Sequence, residues 1–217
     1  AALAMEGSEA ELHLYLARAR LALEDYPGAL TSTDLALAGG VDRPGLWLLR
    51  FHSHRALDLR GSAYIDLETG TSRFPEDIPL LKQQAFYLVE MGLYQGAREV
   101  GARYLAQAGE DGEAYIAFAE ALSRAGNLTQ AQRLLESARL RFPGDQTLTL
   151  QLAQSYIKGD NALAAAEVMV HAAAMDPSLM VEAAELFRRA GHLERALFYN
   201  SLVAEPTAKA KQRLGFL

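Results

Sequence analysis

The sequence predicts an all-α fold, an α-solenoid in which helix-turn-helix units stack one after another. A seven-residue frame, Ala-Gly-polar-Leu-polar-polar-Ala, occurs twice, as AGNLTQA at 125–131 and as AGHLERA at 190–196. Helix-breaking residues also recur after 34 residues, as in Pro143 and Pro177. A period of this length is typical of helical repeat proteins, in which each unit buries its apolar face only against its neighbours.

The composition suits a globular chain and argues against several functional classes. The 217 residues are 50% apolar, carry a formal net charge of -6 and include no cysteine. The absence of thiols excludes disulfides and thiolate metal sites, and it leaves the periplasm and the cytoplasm equally open as compartments. The acidic balance argues against nucleic-acid binding, which uses a basic surface. No apolar run reaches the ~18–20 residues that a membrane-spanning helix needs.

The repeat frame divides the chain, taken as one domain over 1–217, into six repeats. The repeats lie near 10–43, 44–77, 78–111, 112–145, 146–176 and 177–206. Residues 207–217 follow as a capping helix or as the first helix of a further unit. We expect their apolar residues to pack on the sixth repeat: Leu214, Phe216 and Leu217. The same apolar end also fits a chain that continues into a longer protein.

Small residues mark the predicted crossing of the two helices of each repeat. Position 20 of the repeat is alanine six times: Ala29, Ala63, Ala97, Ala131, Ala165 and Ala196. Position 8 is small in all repeats but the second: Ala17, Phe51, Ala85, Ala119, Ala153 and Ala184. Small side chains let two helix backbones approach closely, and a bulkier one would overpack the contact at a cost of about 1–3 kcal/mol. We therefore expect these positions to be buried.

The fourth repeat shows both helices clearly. Apolar residues at a spacing of three to four predict its first helix near Glu113–Arg124. The second helix is predicted from about Thr129 to the break at Phe142-Pro143, because a residue that precedes proline leaves helical geometry.

The repeated frame itself predicts the turn between the two helices. Gly126 and Gly191 are expected to end the first helices of the fourth and sixth repeats. Leu128 and Leu193 are then expected to return the chain to the core.

The second repeat departs from the frame. Its position 15 is Asp58, and its second helix contains Gly70 followed by Thr71 and Ser72, a run of poor helix formers. We expect a short or irregular helix there, interpreted as a drifted repeat that its neighbours hold in place rather than as a lip that contacts a partner. In the third repeat, Gly109 stands where a proline is expected and indicates a plain turn.

The residues of the fourth repeat resemble the tetratricopeptide repeat family. They are Tyr115, Phe118, Ala119, Leu122, Gly126, Ala131, Leu135, Ala138 and Pro143. The resemblance covers about residues 10–206. It implies a right-handed solenoid and a non-enzymatic scaffold or adaptor that binds other proteins. It also suggests a bacterial assembly for envelope biogenesis, secretion or polysaccharide export, by analogy alone.

Positions 5, 9 and 12 of each repeat lie on the helix face opposite the packing positions, and the resemblance places this face in a concave groove. We expect a peptide or an amphipathic helix of another protein to bind there. The predicted partner-binding residues are Leu14, Arg18, Leu48, His52, Arg55, Lys82, Phe86, Val89, Ile116, Glu120, Leu150, Gln154, Ile157 and Arg188. Position 5 is apolar in every repeat but the third, which favours a binding strip. The alternative is that neighbouring helices or the chain's own tail cover this strip.

Charge is expected to differ along the predicted groove. Arg18, Arg55 and Lys82 make the N-terminal half positive, whereas Glu120 and Glu185 oppose that charge in the C-terminal half.

No pattern of residues predicts catalysis, a metal or a cofactor. His52 and His54 are two residues apart on a predicted helix, so they point in different directions and cannot share a metal. Asp66 and Glu68 diverge for the same reason. The sequence contains no Gly-rich phosphate loop, no HExxH motif and no nucleophile elbow. Trp47 is interpreted as a core residue rather than as a ligand-stacking aromatic.

Two other functions stay open besides partner binding. The chain could self-associate through the apolar faces of its end repeats, as a homo-oligomer. It could also be the repeat part of a longer multi-domain protein whose activity lies elsewhere. An enzyme is disfavoured, since no polar side chains are expected to converge in a cleft.

Overall fold

The computed structural model describes residues 2–107 and 112–203, with side chains from Glu9 onward. Within these ranges the chain forms twelve α-helices and one short 3-10 turn, and no strand. The predicted all-α class is therefore confirmed. The helices belong to two compact units, Ala1–Gly109 and Glu110–Leu217, which we describe separately as unit 1 and unit 2.

Unit 1 contains three successive helix pairs. The helices are α1 Ala2–Ala22, α2 Tyr26–Ala38, α3 Pro44–Ala56, α4 Arg60–Arg73, α5 Ile78–Glu90 and α6 Tyr94–Gln107. Each odd-numbered helix packs most extensively on the helix that follows it, and α2 and α4 pack in turn on α3 and α5. The apolar face of one pair is thus buried by the next pair.

Unit 2 repeats this arrangement. Its helices are α7 Gly112–Arg124, α8 Leu128–Arg141, α9 Gln146–Lys158, α10 Ala162–Met175, α11 Met180–Arg189 and α12 Leu193–Val203. A 3-10 turn, Pro177–Leu179, precedes α11. The two helices of the fourth repeat begin and end within a residue or two of their predicted limits.

Every helix pair turns through one residue with a left-handed backbone. The φ angles run from 55° to 83° at Glu24, Asp58, Gly92, Gly126, Asp160 and Gly191. All six occupy position 15 of the repeat, so Asp58 adopts the conformation that glycine adopts elsewhere. The predicted roles of Gly126 and Gly191 at the ends of first helices are confirmed.

The small residues at positions 8 and 20 lie in the core, as predicted. All six position-20 alanines and all six position-8 residues have at most 5% of their surface exposed. Trp47 is also buried, at 8% exposed, and its Nε1 donates a hydrogen bond to Asp42 Oδ1 at 2.8 Å. The polar edge of the indole is therefore satisfied inside the packing.

The expectation of a short or irregular second helix in the second repeat is wrong. Helix α4 has 14 residues, as do α6 and α8. Gly70 lies against α3, where an added Cβ would be 2.9 Å from Trp47 Cβ. Thr71 Oγ1 donates to the Leu67 carbonyl at 2.8 Å. These poor helix formers are thus fixed by tertiary contacts, which override intrinsic propensity.

The predicted return of Leu193 to the core is also wrong, since its side chain is 61% exposed. Leu128 is half-buried, because the turn of the next repeat covers it: a Cβ on Gly159 would lie 3.2 Å from Leu128 Cδ2. Helix α12 is the last described helix, so no described turn covers Leu193 in this way. The predicted helix at 207–217 and the turn at Gly109 lie outside the described residues.

Candidate functional site

Three predicted partner-binding residues converge on one cleft in unit 2. Ile116 and Glu120 of α7 and Gln154 of α9 line a cleft of about 20 Å³, together with Gln151 and Lys158. A space of this size admits about one water-sized group. We call it the α7–α9 cleft.

The wall of the α7–α9 cleft contains a hydroxyl group without a partner. Ser155 is 6% exposed, and its Oγ has no hydrogen-bond partner among the described residues. Its backbone carbonyl accepts a hydrogen bond from Gln132 Nε2 at 3.1 Å. A buried polar group without a partner costs about 1–3 kcal/mol, so this hydroxyl weakens the packing beside the cleft.

The acidic residues expected in the C-terminal half are already paired on their own helices. Arg124 Nη2 donates to Glu120 Oε2 at 2.9 Å, and Arg188 Nε donates to Glu185 Oε2 at 2.7 Å. The hydrogen bond from Arg188 lowers the pKa of Glu185 below its ordinary value. The negative charge of each carboxylate is therefore offset by the arginine beside it.

The other predicted residues of unit 2 differ in exposure. Leu150 and Ile157 are half-buried on α9, and Arg188 is exposed on α11. Val181, at the same repeat position as Leu150, is 52% exposed.

The apolar part of the predicted face in unit 1 is largely covered by helix packing. Leu14 and Val89 are only 5% and 3% exposed, so a partner cannot reach them in this structure. Leu48 is half-buried against the core of unit 1. The ring of the half-buried Phe86 meets the ring of Tyr104 edge-on, with their centroids 6.4 Å apart.

The polar part of the same face includes two exposed cations, Arg18 and Lys82. Neither forms an ion pair with another described side chain. Arg55 Nη2, in contrast, donates to Glu90 Oε2 at 2.8 Å. Burial of His52, and secondarily the nearby charge of Arg55, lowers the pKa of the imidazole. His52 is thus held in its neutral form beside the cations.

Unit 1 contains a buried ionic cluster that the sequence did not predict. Asp66 is 3% exposed; its Oδ1 accepts from Arg50 Nε at 3.0 Å, and its Oδ2 lies 2.5 Å from His54 Nδ1. Arg50 also donates to Asp34 and to Thr33 Oγ1. Burial opposes the charge on Arg50, but the hydrogen bonds to Asp34 and Asp66 outweigh it and raise its pKa.

This cluster joins α3 to α2 and α4, and its donors are directed at carboxylates. We therefore assign it to structure rather than to ligand binding. One sequence signal could have revealed it: position 7 is charged only at Arg50, and in the other repeats it is Leu16, Gln84, Phe118, Leu152 and Ala183. Among the described residues, no group of three His, Asp or Glu side chains is placed to hold a metal ion.

Residues 88–147, from the end of α5 to the start of α9, match the family model described as tetratricopeptide repeat. The twelve paired helices of the described residues repeat the same architecture on both sides of the matched region. The chain has the fold of tetratricopeptide repeat proteins. No curated protein sequence matches it.

Solved tetratricopeptide repeat structures share this fold. A tetratricopeptide repeat protein from Parabacteroides merdae is 17% identical, with a TM-score of 0.58, over 96% of this chain and 88% of its own. YrrB, described as a TPR protein with an unusual peptide-binding site, is 18% identical, with a TM-score of 0.54, over 76% and 85%. PilW, described as a type IV pilus biogenesis factor, is 15% identical, with a TM-score of 0.52, over 94% and 97%.

The tetratricopeptide repeat fold supports a protein-interaction scaffold and implies protein partners, because stacked helix pairs present extended binding surfaces. Proteins of this family are typically non-enzymatic scaffolds. None of the described helices combines the length and the apolar character needed to cross a bilayer.

Proposed function

We propose that this tetratricopeptide repeat chain is a non-enzymatic adaptor that binds a peptide segment or an amphipathic helix of another protein. The binding face carries positions 5, 9 and 12 on the first helices of the repeats. The observation that supports it best is the α7–α9 cleft, where Ile116, Glu120 and Gln154 meet although the sequence places them up to 38 residues apart.

The chemistry of the cleft suits a peptide. Side-chain amides such as those of Gln151 and Gln154 both donate and accept hydrogen bonds, as a peptide backbone requires. Ile116 offers apolar contact beside them. The small volume of the cleft restricts the inserted group to a backbone carbonyl or a small side chain.

Unit 1 carries exposed charge on its own first helices. Arg18 and Lys82 are exposed and lack ion pairs among the described side chains, so an acidic partner segment is favoured there. Some side chains of this face are half-buried, so a partner would contact only their exposed edges; they are Leu48, His52 and Phe86. Leu14 and Val89 support the face from below.

The cellular setting of the proposal is an assembly for envelope biogenesis, secretion or polysaccharide export. It rests on the family resemblance and on PilW, a type IV pilus biogenesis factor that shares the fold. Fractionation of the native host, followed by detection of the chain in the envelope or the cytoplasm, tests this part separately.

Site-specific photo-crosslinking in the native host tests the binding face. A photoreactive amino acid is placed at Lys82 or Gln154 on the proposed face, and at Arg98 or Arg133 on second helices as matched exposed controls. We expect both positions on the proposed face to capture the same protein, and the controls to leave it uncaptured. Capture from the control positions alone would refute the proposed face.

One observation favours self-association as a second candidate. Helix α1 exposes apolar side chains at helical spacing, namely Leu12, Tyr15 and Leu16, with exposed fractions of 58%, 61% and 45%, and Leu23 in the turn after it is 79% exposed. If the crosslinked protein is a second copy of the chain, and light scattering shows a dimer that Leu12→Ser and Leu16→Ser disrupt, self-association replaces the adaptor role.

A further inference from the structure

A second pocket in unit 2 lies between the second helices of the fourth and fifth repeats. Helices α8, α9 and α10 line it, and its volume is about 390 Å³. This volume falls in the range of ~300–1,000 Å³ that is typical of ligand pockets. Its lining shares no residue with the predicted partner-binding set. We call it the α8–α10 pocket.

The lining of the α8–α10 pocket is partly apolar. Leu152 and Val168, 1% and 8% exposed, belong to the buried core beneath it. Leu140 of α8 also lines the pocket, and its side chain is 77% exposed. An apolar side chain placed in the pocket would remove Leu140 from water, which is favourable.

The pocket also contains a cation without a partner. Arg139 makes no ion pair within the described part of the chain, and its Nε is shielded from solvent without a hydrogen-bond acceptor. Buried polar groups nearly always have a hydrogen-bond partner, and Arg139 Nε is an exception.

The two carboxylates that line the pocket are engaged with other groups. Glu136 accepts a hydrogen bond from the Tyr156 hydroxyl, and Glu167 Oε1 accepts one from Arg195 Nη1 at 3.2 Å. Arg139 therefore keeps a positive charge that neither carboxylate pairs with, next to an apolar lining.

We propose that the α8–α10 pocket binds a segment of a partner protein that presents a carboxylate next to an apolar side chain. The carboxylate accepts hydrogen bonds from the Arg139 guanidinium, whose planar donors match carboxylate geometry. The apolar side chain lies between Leu140 and the Leu152–Val168 floor. This inference does not depend on the α7–α9 cleft or on the first-helix face.

The test uses two probes that differ only in the acceptor group. N-acetyl-leucine carries a carboxylate next to an isobutyl side chain, and N-acetylleucinamide replaces the carboxylate by a neutral amide. NMR titration of the whole chain is expected to show that the acid binds about tenfold more tightly than the amide, as a hydrogen bond to a charged group implies. The shifted signals should belong to α8 and α10.

Arg139→Gln is expected to remove the preference for the acid while the amide still binds. Arg133→Gln is the matched control, because Arg133 is an exposed residue of the same helix outside the pocket. Circular dichroism confirms that both variants are folded.

Several results would overturn the proposal. They are equal binding of acid and amide to the wild-type chain, an unchanged preference in Arg139→Gln, or shifts confined to α7 and the first-helix face. A wild-type dimer that Arg139→Gln dissociates would also overturn it, since the occupant would then be a second copy.

Discussion

Arg50 on α3 and Asp66 on α4 form an ion pair inside unit 1, with Arg50 Nε donating to Asp66 Oδ1 at 3.0 Å. The carboxylate side chain is 5% exposed and the guanidinium side chain 17%. Since Arg50 also donates to Asp34 and Thr33 near the middle of α2, a single side chain fixes three helices relative to one another. Hydrophobic contacts are non-directional, whereas this pair specifies one alignment of the helices.

Removal of the Asp66 carboxylate is expected to destabilise unit 1 strongly. Asp66→Ala removes the carboxylate that contacts Arg50 Nε and His54 Nδ1. Breaking a buried ion pair costs about 3–5 kcal/mol. Urea unfolding followed by circular dichroism measures the loss. Glu68→Ala, two residues away and exposed, is the control and should stay within about 0.5 kcal/mol of wild type. Equal effects of the two substitutions would show that the cluster contributes nothing to the free energy of unfolding.

The left-handed backbone at position 15 predicts that a glycine there stabilises the chain. Glu24 has a φ of 61°, a region that costs a side-chain-bearing residue about 1 kcal/mol and costs glycine almost nothing. Glu24→Gly should therefore raise the free energy of unfolding by up to about 1 kcal/mol, and Gly126→Ala should lower it by a similar amount. Gly144→Ala, where an added Cβ meets nothing within 4 Å, should not destabilise the chain. A lower stability for Glu24→Gly would contradict this account of the turn.

The two glycines of α4 should respond to alanine in opposite directions. Gly70→Ala places a Cβ 2.9 Å from Trp47 Cβ and 3.0 Å from Leu80 Cδ2, so overpacking should cost about 1–3 kcal/mol despite the better helix propensity. Gly61→Ala meets nothing within 4 Å and should be neutral or stabilising by up to about 1 kcal/mol. Thermal unfolding of the two variants gives the comparison, and the prediction fails if both shift the midpoint the same way.

The stability of unit 2 should fall steeply at high pH because of Tyr156. Burial, and then the hydrogen bond to Glu136, raises the pKa of the Tyr156 phenol from 10.0 to about 12. The unfolded chain loses this proton first, so the stability contributed by the group is present below pH 10 and is lost as the pH rises towards 12. Tyr156→Phe should flatten this part of the stability–pH curve.

Glu136→Gln provides an independent check on Tyr156. It removes the anionic acceptor, so the pKa of Tyr156 should move back towards 10.0 in a tyrosinate absorbance titration. An unchanged titration in Glu136→Gln would mean that the hydrogen bond has no part in the shift.

The sequence by itself determined which residues form helix pairs and where the pairs touch. Alanine at position 20 and small residues at position 8 are enforced by backbone contact within a single repeat, over about a dozen residues. That local constraint is visible in a linear pattern, and the burial of Ala131 and Ala196 at 1% and 5% exposed agrees with it.

Only the tertiary structure decided how exposed each remaining side chain is and which charges meet. Leu14 and Val181 share position 5 and apolar character, yet one is 5% exposed and the other 52%. Arg50 and Asp66 lie 16 residues apart in the sequence, so no local pattern predicts that they pair. No local pattern predicts that Arg139 Nε lacks an acceptor either. Burial and charge pairing depend on the side chains that neighbouring repeats supply, and those side chains vary from repeat to repeat although the backbone frame is constant.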